Sequence, residues 1–67
     1  MTIESFLQQG IELTKHGRLY RAASLFEEIL DMYPEEPRAL FSAAVVADLL
    51  GQRNHALNLL HRSMSAD

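Results

Sequence analysis

Apolar residues recur along this chain at intervals of three and four in four separate stretches, each bounded by a glycine or a proline. Ile3, Phe6, Leu7, Gly10, Ile11 and Leu13 describe one stripe ahead of Gly17. Leu19, Ala22, Ala23, Phe26, Ile29, Leu30 and Met32-Tyr33 form a second, closed by Pro34, whose ring pushes the preceding residue out of the α region. A third opens at Pro37 and runs through Leu40, Phe41, Ala44, Val45 and Leu49 to Leu50. Ala56, Leu57, Leu59, Leu60 and Met64 make the fourth, which follows Gly51 and ends near Ala66. This spacing paints one face of a helix with 3.6 residues per turn, so the pattern predicts an all-α chain of four helices. Local signals agree. Thr2 suits the cap of the first helix, Pro37 suits the first turn of the third, and Glu35-Glu36 put negative charge where the dipole of the third favours it.

Sliding the sequence over itself by 34 positions superposes Gly17 on Gly51, Ala22 on Ala56 and Leu25 on Leu59. The same shift pairs Phe6 with Leu40, Gly10 with Ala44, Phe26 with Leu60 and Leu30 with Met64, keeping small residues over small and large over large. A fixed period of this length signals tandem repeats. The reading is a single domain, 1–67, of two stacked antiparallel hairpins, residues 3–36 and 37–67. Gly10 and Ala22 in the first, and Ala44 and Ala56 in the second, let two helices approach closely beside Phe26 and Leu60. The proline that would close the second unit falls at position 68, one past the final residue, which reads as a cut at a repeat boundary.

The period of 34, one hairpin per unit, and the series Phe6, Gly10, Leu13, Gly17, Ala22, Phe26 and Pro34 resemble the tetratricopeptide repeat. The second unit continues it as Leu40, Ala44, Ala47, Gly51, Ala56 and Leu60. Phe6 and Leu40 stand where that family usually has Trp, Gln9 where leucine is common, and Arg53 where Tyr is frequent. The resemblance implies a right-handed α-solenoid whose groove is lined by the first helix of each unit and receives a peptide or a helix. Carried over, the groove positions are Glu4, Leu7, Ile11, Thr14 and Lys15 from the first helix, with Arg38, Phe41, Val45, Asp48 and Leu49 from the third. One subclass of the family grips a terminal carboxylate with Lys, Asn and Arg. Leu7 and Ile11 occupy the first two of those positions here, and apolar side chains do not offset the desolvation of a carboxylate. An apolar peptide or amphipathic helix is the expected ligand.

Composition narrows the alternatives. Apolar residues make up 48% and charged residues 22%, ordinary values for a folded domain. A net charge of −3 with one lysine, Lys15, argues against a nucleic-acid partner, which demands a basic face. No signal peptide and no membrane span is visible, and the chain has no cysteine, so it is expected to be cytoplasmic. With 67 residues the core is thin, and a partner subunit is one way to reinforce it. Residues 3–36 hold seven acidic and three basic side chains, residues 37–67 two and three, so the halves differ in sign. Homo-oligomerisation, burying the groove or the last helix, is therefore the alternative reading.

Candidate chemistry is sparse. His55 and His61 are six apart on one helix and point in different directions, and His16 complements a helix C-terminus beside Gly17. Glu27-Glu28 and Glu35-Glu36 are consecutive and do not face a common point. We expect no catalytic residue, no metal ligand and no cofactor. The function expected is that of a protein-binding scaffold.

Overall fold

Two glycines in the left-handed region set the path of the chain. Gly17 has φ 75° and Gly51 φ 80°, the 34-residue pair found by the shift. The computed structural model describes residues 2–65, and places these glycines just after α1 (Ile3–Lys15) and α3 (Pro37–Leu49). At the first, the Gly17 amide donates to the Thr14 carbonyl (3.1 Å) and the Arg18 amide to that of Leu13 (2.9 Å). At the second, Gly51 donates to Asp48 (3.0 Å) and Gln52 to Ala47 (2.8 Å). Both are Schellman motifs, which satisfy the orphan carbonyls and reverse the chain into α2 (Leu19–Met32) and α4 (Arg53–Ser65). The boundaries fall within about two residues of the apolar stripes; the end expected near Ala66 lies outside the described residues.

The N-terminal ends follow the sequence signals. Thr2 accepts a hydrogen bond from the Ser5 amide on its side-chain oxygen (3.3 Å). Glu36 caps α3 by accepting from the Arg38 amide (3.2 Å), and Pro37 stands in the first turn. Pro34 sits in the turn that joins the hairpins, after Tyr33 has made the last helical bond to the Ile29 carbonyl.

Packing proceeds in pairs: α1 against α2, α3 against α4, and α2 against α3, which joins the hairpins into a body of 28 × 26 × 15 Å. The core holds Phe26, Ile29, Leu40 and Val46 fully buried, filled in by Ala22, Ala39, Ala44, Ala47 and Ala56. Gly10 is buried because Phe26 needs its space, as a Cβ built there would lie 2.5 Å from the tip of that ring. The third helix is covered on two sides. Leu40, Ala44 and Ala47 match, by the shift, the hairpin-facing residues of α1, while Ala39, Ala43 and Val46 form a second buried stripe. At the corresponding positions α1 carries Ser5, Gln9 and Glu12, so its outer face is polar and solvated.

Candidate binding site

Glu4, Leu7, Gln8 and Ile11 on α1 face Arg38, Phe41 and Ser42 on α3 across an open cleft of about 400 Å³. Leu7 forms its floor at 5% exposure, while Ile11 (38%) and Phe41 (56%) stand up from its two sides. Helical periodicity explains the arrangement. Leu7 and Ile11 are four apart, as are Arg38 and Ser42, so each helix lines the cleft with successive turns of one stripe. Burial of an apolar side chain is worth roughly 1.5–3 kcal/mol, so the exposed area of Ile11 and Phe41 is stabilisation a ligand could still collect.

The rim is charged and ordered. The Arg38 Nε–H donates to Glu36 Oε1 at 2.8 Å, and its Nη2 lies 3.9 Å from Glu4 Oε1, bridging α3 to α1. Hydrogen bonding from the Arg38 side chain holds the Glu36 carboxyl below its ordinary range, against a smaller opposing effect of burial. Surface pairs of this kind contribute about 0–1 kcal/mol, so their role here is to hold the guanidinium at the mouth of the cleft.

Of the ten groove residues expected from the sequence, five line this cleft: Glu4, Leu7, Ile11, Arg38 and Phe41. Leu7 lines the cleft as a largely buried residue that shows only an edge. Val45 and Asp48 line a different crease, between α3 and α4, together with Phe41, Ala44, Arg53, Ala56, Leu57 and Leu60. Thr14 is half-buried and turns its hydroxyl inward, donating to the Gly10 carbonyl at 2.8 Å. Lys15 reaches toward Glu12 (3.8 Å) in solvent, and Leu49, though exposed, lines neither recess. Gln8 and Ser42 were missed; each lies one position beyond an expected groove residue, and a helical wheel centred on the α1–α3 seam includes both.

The remaining side chains with chemical potential are dispersed. His16 lies 4.0 Å from Glu12, and His55 and His61 are exposed on α4. Among the described residues no three His, Cys, Asp or Glu side chains gather at one point, and none of their buried side-chain polar atoms lacks a hydrogen-bond partner. No helix of the described residues is long and apolar enough to cross a membrane.

Comparison with known proteins finds similarity to a small part of much longer chains. The aspartyl/asparaginyl beta-hydroxylase of Mus musculus is 32% identical over 63 residues, which is 94% of this chain and 8% of that protein. Its namesake from Homo sapiens is 30% identical over 59 residues, 88% of this chain and again 8% of the relative. No family model matches. No solved structure matches.

Proposed function

We propose that this chain is a non-catalytic protein-interaction module of the tetratricopeptide kind, whose α1–α3 cleft receives an apolar peptide or the apolar face of an amphipathic helix. The observation that carries this reading is the pair Ile11 and Phe41, half-exposed on opposite sides of a cleft floored by buried Leu7. A ligand seated there covers apolar area that the fold leaves in water, while Glu4 and Arg38 at the mouth offer polar groups to orient it. The assignment to the tetratricopeptide kind draws support from the 34-residue shift. It relates the two Schellman turns as well as the two small-residue approaches.

The relatives bear on the setting. This chain spans about 8% of their length, and the hydroxylation in their names is not carried over to it. A cytoplasmic location for the present chain belongs to the same proposal and rests on its lack of cysteine.

A second reading is self-assembly. Apolar exposure continues beyond the cleft through Val45, Leu49, Leu57 and Met64, enough for a copy of the chain to cover. Light scattering of the wild type and of Phe41→Glu, each checked by helical circular dichroism, separates the two. A folded monomer unaffected by the substitution supports a cleft kept for a foreign ligand. A dimer that Phe41→Glu dissociates makes the chain its own partner and removes the first reading.

A further inference from the structure

The carbonyl of Pro34 finds no donor within its own turn. The residue three positions on is Pro37, which has no N–H, and the amide four positions on, that of Arg38, is taken by the Glu36 carboxylate at 3.2 Å. The backbone bond closed inside this turn, from the Glu36 amide to the Tyr33 carbonyl at 3.1 Å, does not involve it. The donor comes instead from the far end of α4. Arg62 Nη2 donates to the Pro34 carbonyl at 3.1 Å, and the adjacent Ser63 hydroxyl donates to the Pro37 carbonyl at 3.3 Å, across 28 and 26 positions of chain. Among the described residues no other side-chain hydrogen bond spans more than four positions.

We infer that Arg62 and Ser63 are positioning residues for Arg38, fixing from α4 the guanidinium at the mouth of a cleft that α4 does not line. The inference deepens the α1–α3 reading and rests on it for its functional meaning. Its geometry is a short relay. Glu36 lies between the two carbonyls that α4 holds; it caps α3 and accepts from Arg38 Nε–H at 2.8 Å, and Arg38 in turn reaches Glu4 of α1 at 3.9 Å. Proline locks φ at both ends of the stretch from Pro34 to Pro37, so few torsions remain for the two bonds from α4 to hold. A guanidinium donor makes the stronger, charge-assisted kind of bond. Holding the backbone on either side of Glu36 sets where its carboxylate points, and the carboxylate sets the guanidinium.

This clamp is not repeated in the first unit. The 34-residue shift carries Arg62 and Ser63 back to Glu28 and Ile29 of α2, and neither side chain is a hydrogen-bond donor at neutral pH. What the two hairpins share, the Schellman turns and the small-residue approaches, shapes the fold. The pair on α4 is peculiar to the second unit and serves the turn that leads into the cleft. Displacement of the last turn of α4 therefore slackens the cleft mouth from a distance.

The experiment is NMR of the isotope-labelled free chain, with two readings: solvent exchange of the Arg38 Nε–H and the titration midpoint of the Glu36 carboxyl. Ser63→Ala removes a hydroxyl without changing charge and introduces a better helix former, so folding is not at stake. Arg62→Ala removes the other bond. Each should speed Arg38 Nε–H exchange by about threefold or more, the order expected from one lost hydrogen bond. In each the Glu36 midpoint should climb toward the ordinary glutamate value. Charge also bears on that midpoint, and the charged groups around Glu36 are Arg38, Glu4, Glu35 and Arg62. Ser63→Ala leaves all four in place, and Arg62→Lys, which keeps a charge and a donor, should recover part of the loss. Ser65→Ala is the control, because its hydroxyl serves the His61 carbonyl of α4 itself at 2.9 Å, and neither reading should move. Wild-type readings in one variant overturn the inference for that residue, and in both overturn it whole. Equal changes from Ser65→Ala overturn it too, the cause then being general fraying of α4. Failure of the cleft as a ligand site shows separately, in the light scattering of Phe41→Glu, and leaves these readings where they stand.

Discussion

Gly10 and Phe26 are made for one another: the ring tip of Phe26 occupies the place where a Cβ on residue 10 would lie, 2.5 Å away from Cζ and 2.6 Å from Cε1. Phe26 is fully buried and has no room to retreat. Two effects oppose each other in Gly10→Ala. The helix gains about 0.5–1 kcal/mol of backbone preference, and the core is overpacked at roughly 1–3 kcal/mol. We expect net destabilisation, measured by denaturant unfolding. The second unit pairs Ala44 with the smaller Leu60, so Phe26→Leu added to Gly10→Ala should recover part of the loss, and a purely additive double mutant would contradict the packing.

Gly51 stands at φ 80° with open space around its would-be Cβ, so substitution there tests backbone conformation alone. Gly51→Ala should cost about 1–2 kcal/mol in thermal unfolding, and Gly51→Asn less, since Asn visits the left-handed region more readily. Equal effects of the two would show that the turn relaxes.

Leu7 and Ile11 share a cleft and differ in burial, 5% against 38%. Leu7→Ala should remove about 2–5 kcal/mol of stability, whereas Ile11→Ala, on the exposed side of the cleft, should cost well under that. Comparable losses in chemical denaturation would place Ile11 in the core and leave the cleft without an apolar wall.

Glu36 accepts hydrogen bonds from the Arg38 side chain and amide, which lower its carboxyl below the ordinary value. A depressed folded-state value means that the unfolded chain binds its proton first as pH falls. The stabilisation is thus complete above the unfolded value near about 4.3 and is lost as pH drops through the folded one. NMR titration of the Glu36 carboxyl should give a midpoint below the ordinary value for a glutamate. Glu36→Gln should flatten this part of the acid limb of the stability curve, and an unchanged limb would count against the pair.

The helices were legible in the sequence because their punctuation is local. Gly17, Gly51 and Pro34 act on the backbone at their own positions, whatever the tertiary setting. The pairing of hairpins was legible for a related reason, as residue size at Gly10, Ala22, Ala44 and Ala56 records how near two axes come. The cleft was less so. A helical wheel says that Leu7, Ile11 and Thr14 share a side of α1, but how far α3 leans over that side decides which of them meets water. Leu7 is covered. Thr14 is lost to the cleft for another reason, its hydroxyl turning back to the carbonyl four residues earlier, a bond that competes with any outward one. On α3, Val45 and Asp48 go to the α4 side because Phe41 divides the exposed surface into two recesses, a matter of packing angle that periodicity does not carry.

The double burial of α3 reaches beyond packing. A helix whose Ala39, Ala43 and Val46 close one contact and whose Leu40, Ala44 and Ala47 close another cannot open without uncovering both hairpins. Its amides should exchange with solvent only through global unfolding, so the chain melts as one cooperative unit. Arg38 and Phe41 stand on this same helix, and occupancy of either recess is therefore coupled to the stability of the entire molecule. A bound ligand should announce itself as a concentration-dependent rise in melting temperature, which turns a thermal scan into a search for partners.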